Sequence, residues 1–388
     1  TYRGSLALTK PTDTTDMTEI GGLVGTYLTS SGHVTSIEGC SADIESAMLT
    51  DLSGTTRDIK DEITATGAAW KGQENVGEHN VTATINGREE RFTNNVANIG
   101  NVKYFSLESA VAAAQAGDTI TLCSDVTTTE QILFAKNVTL DLNGYTLTSA
   151  YVLTGSGNAR YAVAFDDGGK IIDSSAEGEK GALIVNNARA VTSNNKALTI
   201  EGATIKVTSG MQSGNAVIGT TAGLIMKNST IIGEFDGSYA VSSFGTTGTE
   251  EYDIENSVIM AKTVGIYRNG SAGKFKMTVK DSEITVASAD ENLAVYISNN
   301  NSNNDTNHEV SFENCEISGK TGIEAKYSNI TLTNCKVTAT GTPSYEQNNN
   351  GATASGFAVV ITDNATGEAK AKPVGKITII SGDYTGMI

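Results

Sequence analysis

The chain has 388 residues, 38% hydrophobic and 18% charged, a balance that suits a folded protein and excludes wholesale disorder. Its formal charge of −17 argues against a nucleic-acid partner, whose phosphates need a Lys/Arg surface, and equally against an anionic membrane surface. Only 3 Pro but 41 Gly describe many strands joined by tight turns, and no apolar run reaches the ~18 residues of a membrane-spanning helix.

The chain starts at Thr1 without a signal-peptide pattern and stops at Ile388 in a strand-like stretch, so a mature or trimmed fragment of a longer protein is expected. Residues 1–95 read as a β-rich segment forming extra coils or a cap, with a distinct small domain as the alternative; residues 96–388 read as the main body. The one helix-period stretch is SLESAVAAAQA (106–116), with Ser106 as N-cap and Gly117 just past its end.

From about Val138 an eight-residue pattern returns: apolar, any, apolar, any, Asn-like, small, any, apolar. The copies start at Leu198, Leu224, Tyr252, Met277, Val310, Ile330 and, more loosely, Ile377, separated by 26, 28, 25, 33, 20 and 47 residues by subtraction. Repetition of one supersecondary unit marks a solenoid. A second column lies between these copies. Its members Val163, Val217, Val241, Ile266, Val295, Ile323 and Val359 are all β-branched and should stack as an inward ladder, rung on rung at about 4.8 Å. The Asn-like position holds Gly202, Asn228, Asn256, Asp281, Asn314, Asn334 and Ser381, residue types that tolerate left-handed backbone and can bond to the next rung. The expected architecture is an all-β, right-handed parallel β-helix with a short capping helix near 106–116.

Cys315 and Cys335 occupy the same place in consecutive copies, where stacked thiols are favoured over a disulfide because Ala203, Ser229, Ser257 and Ser282 fill that column elsewhere. With Cys40 and Cys123 they form no CxxC or CxxH pair, so no metal or other cofactor is expected. Asn-rich inserts at 299–307 and 344–350 and a Lys-bearing one at 366–372 mark loops; the first and third should share a corner of the helix and the second should leave from another.

The residues from Asn101 to Ser149, with a helix followed by GDTI and a first coil, look like the opening of the pectin-lyase-like β-helix superfamily. GGKIIDSSAEGEKGAL (168–183) is similar to large repetitive surface proteins of gut bacteria. IGGLVGTYLTSSGHVTSIEGCSADI (20–44) resembles the GLUG motif of bacterial adhesion-associated proteins at Gly21, Gly22, Leu23, Val24, Gly25 and Cys40. These resemblances imply an extracellular or cell-surface protein, and they bring polysaccharide lyases and glycoside hydrolases into view.

A hydrolase of this fold needs carboxylates converging on one glycosidic bond. The nearest candidates, Asp166, Asp167 and Asp173, lie in or near an FDDGGK turn and read poorly as catalytic. A lyase needs a base beside Asp-bound calcium. Yet the outward column of the second strand reads Ala164, Ile218, Ser242, Tyr267, Tyr296, Glu324 and Val360, which is no acidic ladder, and His33, His79 and His308 match no metal or triad spacing. That column suggests instead a ligand-binding strip of exposed Tyr267 and Tyr296 with Glu324, flanked by Phe244, Asn269, Ser298 and Lys326, suited to sugars. The expectation is a non-catalytic adhesin, glycan binder or spacer whose partner is a host or dietary glycan or a surface protein.

Overall fold

A computed structural model describes residues 2–9, 21–24, 34–50, 56–58, 64–66, 78–93, 95–104, 106–153, 156–176, 180–209, 215–243, 248–270, 274–287, 292–299, 308–345, 354–362 and 375–388. It divides into a unit of residues 1–110 and a unit of residues 111–388, the division falling inside the helix Leu107–Ala113. That helix starts where its cap predicts: the Ser109 amide donates to Ser106 Oγ at 3.2 Å.

In the first unit, Tyr2–Thr9 runs parallel to Val34–Thr50, which runs parallel to Glu78–Ile85. Asn86 and Gly87, at φ of 49° and 76°, then turn the chain back into antiparallel Arg88–Thr93. Such a left-handed pair matches the twist of a two-residue hairpin. Of the GLUG-like residues, Gly21 to Val24 form a strand paired with Thr64–Thr66, and Cys40 lies in Val34–Thr50. Gly25 lies outside the described residues.

The second unit is a parallel β-helix. Each complete coil contributes one strand to each of three sheets, the last described coil reaching only the first two, and within each sheet every strand of this unit pairs in parallel with its counterpart one coil away. Its first sheet runs from Thr119–Leu122 to Gly375–Ile379, the second from Val126–Thr128 to Gly382–Thr385, and the third from Ile132–Phe134 to Val359–Thr362. The eight-residue pattern turns out to span two strands. LTIEGATI, for example, is Leu198–Glu201 of the first sheet, a two-residue turn, and the start of Thr204–Ser209 in the second.

The turn column behaves as its chemistry dictates. Asn228, Asn256, Asp281, Asn314 and Asn334 all sit at φ between 46° and 53°, and Gly202 at 68°. Their amides bond along the axis: Asn256 to Asn228 at 2.7 Å, Asn314 to Asp281 at 2.8 Å, and Asn334 to Asn314 at 2.9 Å. The next column is equally regular. The Ser229 amide donates to Ser257 Oγ at 3.2 Å and the Ser257 amide to Ser282 Oγ at 3.1 Å. Cys315 and Cys335 continue it as buried free thiols. Contact with the Cys335 sulfur, and then burial, push the Cys315 thiol up.

The inward ladder exists but differs at two rungs. It reads Val163, Val191, Ile218, Val241, Ile266, Val295, Ile323 and Val359. Ile218 rather than Val217 faces Val241, and the coil of Val191 adds a rung between Val163 and Ile218. The physical reason lies one residue on. Gly219 falls opposite Ser242, and a Cβ at Gly219 would stand 2.0 Å from the Tyr161 hydroxyl. The Tyr161 phenol needs a glycine beneath it, so Ile218 is excluded from that place.

The inserts emerge where expected. Residues 299 and 362 end third-sheet strands, whereas Ser344–Tyr345 follows the second-sheet strand Cys335–Ala339. Residues 300–307, 346–350 and 366–372 lie outside the described residues.

Candidate functional site

Strand alternation turns one column of the third sheet away from the ladder: Ala164, Thr192, Gly219, Ser242, Tyr267, Tyr296, Glu324 and Val360 stand in register. Rung spacing brings the aromatic rings into a stack. Tyr239 and Tyr267 lie 4.5 Å apart between centroids at 15°, and Tyr267 and Tyr296 lie 5.2 Å apart at 21°. The Lys326 ammonium caps the far end, 5.8 Å from the Tyr296 centroid. Arg189 lies near enough to the other end to oppose the rise of the Tyr239 phenol, and its guanidinium stands 5.5 Å from the Tyr161 ring. The strip is thus a run of tyrosines between two cations, an arrangement that satisfies the negative ring faces.

The expectation of an exposed strip needs correction. Tyr296, Glu324 and Lys326 are each 0% exposed, whereas Tyr239, Tyr267 and Asn269 are half-buried. Glu324 accepts from Thr362 Oγ1 at 2.8 Å and faces Lys326 Nζ at 3.9 Å, so two charges taken out of water neutralise each other. Burial raises all three phenols, which therefore remain hydrogen-bond donors throughout the neutral range. Asn269 Nδ2 donates to the Tyr267 hydroxyl at 2.8 Å. Because the ring faces lie against one another, what the strip offers outward is ring edges, hydroxyls and one amide. Ser298 lies in register with Asn269 and Lys326 but is fully buried. Phe244 lies outside the described residues.

The three aspartates are held separately. Asp173 is buried and accepts from the amides of Gly144 (3.2 Å), Ser175 (2.9 Å) and Gly181 (2.5 Å) and from Ser175 Oγ (2.5 Å). It thereby ties Ser175 and Gly181 together between the first-sheet strand Gly169–Ile172 and the second-sheet strand Ala182–Asn186, where other coils have their Asn corner. Asp166 accepts from Asn158 Nδ2 at 2.8 Å, and Asp167 pairs with Lys196 at 2.6 Å. Among the described residues, no group of three or more His, Cys, Asp or Glu side chains is placed to hold a metal ion.

Tyr239, Tyr161 and Arg189 were missed as members of the strip. Tyr239 stands two residues before the ladder residue Val241, in register with the small and aliphatic Ala216 and Val264, and Arg189 belongs to the coil of Val191, in register with Tyr161. A second group was also missed: Glu250, Arg268 and His308, all 2% exposed or less, inside the solenoid. The signal was available, since each stands two residues from an inward apolar residue (Tyr252, Ile266 and Val310) and so shares its face. No family model, curated protein or solved structure matches the chain.

Proposed function

We propose that the chain is a non-catalytic secreted or cell-surface protein of the pectin-lyase-like β-helix kind, with a GLUG-like N-terminal segment, that acts as an adhesin or glycan-binding module. The observation that carries this reading is the cation-capped tyrosine strip, half-buried at Tyr239, Tyr267 and Asn269. Sugar hydroxyls would meet phenol hydroxyls and the Asn269 amide edge-on, rather than lie flat on a ring. The partner is a host or dietary glycan, or a glycan-bearing surface protein.

The enzyme alternative, a polysaccharide lyase or glycoside hydrolase, draws no support from Asp166, Asp167 and Asp173, whose hydrogen bonds and ion pair hold each in its own turn. A glycan array with the full chain, paired with assays for new reducing ends and unsaturated uronates, tests both readings. The expected result is binding that drops at least tenfold in Tyr239→Ala with Tyr267→Ala, and no product. Product formation, or binding indifferent to both substitutions, would overturn the proposal.

A further inference from the structure

The polar group inside the solenoid sits at the corner between the third and first sheets. Third-sheet strands end there at Ser243, Gly270 and Asn299, and first-sheet strands begin at Thr249, Lys274 and His308. Arg268 Nε stands 3.5 Å from Glu250, which also accepts from Ser243 Oγ, and the Arg268 guanidinium lies 5.2 Å from the Phe275 centroid. His308 packs edge-on against the same ring at 5.5 Å, with Nδ1 3.3 Å from Ser328 Oγ. Among the described residues, its Nε2 is buried with no hydrogen-bond partner.

Glu250, Phe275, His308 and Ser328 form one column in register, so Phe275 stands between the carboxylate and the imidazole. Two rungs, roughly 9.6 Å, separate Glu250 from His308 at the backbone. An imidazolium at His308 would therefore face Arg268 while Glu250, the cluster's only carboxylate among the described residues, lay behind a ring. The other titratable groups among the described residues nearby offer no relief. Tyr252 is a buried neutral phenol that donates to the Thr220 carbonyl at 3.3 Å. Lys274, Lys276, Glu251 and Glu309 are on the exposed face of their strands, and Lys326 and Glu324 pair with each other on the tyrosine strip.

We propose that His308, Phe275 and Arg268 form an acid-operated latch: a proton on His308 creates a second buried cation with no counter-ion among the described residues and separates the first-sheet strands Lys274–Lys280 and His308–Glu313 from the third-sheet strand Val264–Gly270. Burial first, and Arg268 second, hold the imidazole down at about 3, against about 6.5 in an unfolded chain. Between those values the open corner binds the proton that the closed corner refuses. Stability of the corner is therefore complete above pH ~6.5 and falls as the pH drops towards ~3. The opposing group is Glu250, whose carboxyl burial raises; it favours the closed corner as acid is added and sets a limit on the opening.

Hydrogen exchange of the full chain between pH 7 and pH 4, corrected for intrinsic exchange rates, tests the latch. Relative to His308→Phe, opening of peptides over 264–280 and 308–333 should rise up to tenfold per pH unit below pH ~6. Equal acid dependence in wild type and His308→Phe would overturn the proposal. Should His308→Phe not fold, an NMR titration of wild type, with the resonance assigned from His308→Gln, decides the matter. A closed-state midpoint well below 6, with opening as the proton binds, supports the latch; a midpoint near 6.5 with unchanged exchange overturns it.

Discussion

Gly219 shows how much one side chain can decide. The Tyr161 hydroxyl occupies the space its Cβ would need, so Gly219→Val must displace a buried aromatic ring. Such overpacking costs about 1–3 kcal/mol, measurable as a lower denaturant midpoint. Asn314 carries two requirements at once, a φ of 53° and bonds to both neighbouring rungs. Asn314→Gly removes only the bonds and should cost about 1–2 kcal/mol, whereas Asn314→Ala adds the left-handed penalty of roughly 1–2 kcal/mol more. Equal losses in the two variants would refute that division. Cys315 is the opposite case. Its column accepts serine, and Ser282 Oγ donates to the Lys280 carbonyl at 2.6 Å as Cys315 Sγ does to that of Glu313 at 3.2 Å. Cys315→Ser should therefore shift stability by less than ~1 kcal/mol. These residues were legible in the sequence because their chemistry is local: an Asn at a left-handed corner needs no knowledge of the rest of the chain. Burial of Tyr296, Glu324 and Lys326 was not legible, because alternation tells which side a residue takes and not what covers that side.

At the scale of the coil, the β-branched ladder is one of several buried apolar columns, beside those of the first and second sheets. Each rung buries its Val or Ile almost completely, worth about 1.5–3 kcal/mol for a side chain of that size. Ile266→Ala should cost roughly 2–4 kcal/mol. In a solenoid each coil touches only its neighbours, so the lost protection should concentrate in coils 238–299 and fade beyond them, as amide exchange would show. Uniform loss along the whole unit would contradict nearest-neighbour stacking. The coil of Val191 escaped the sequence reading because its first-sheet strand, Gly169–Ile172, is followed by the turn held by Asp173 instead of an Asn corner. A column is found by its most regular member, and that coil lacks it. The second sheet was hidden for a related reason, its strands following a two-residue turn and completing the same eight-residue pattern.

For the β-helical unit as a whole, the faces divide the labour. On the first and second sheets, charges neutralise along the axis: Lys227 with Glu255 at 3.2 Å, Lys280 with Glu313 at 3.0 Å, Lys336 with Glu316 at 2.5 Å. Exposed pairs of this kind contribute little to stability. The third sheet differs by gathering Tyr161, Arg189, Tyr239, Tyr267 and Asn269 on its outward face. Fold class was readable from repeat and ladder; this concentration was not, because it depends on register across five coils. A crystal structure of the chain soaked with the best glycan from the array tests the account most directly. It should place sugar hydroxyls within hydrogen-bond distance of the Tyr239 and Tyr267 hydroxyls and the Asn269 amide. A glycan seated on the first or second sheet, with the third sheet bare, would contradict it.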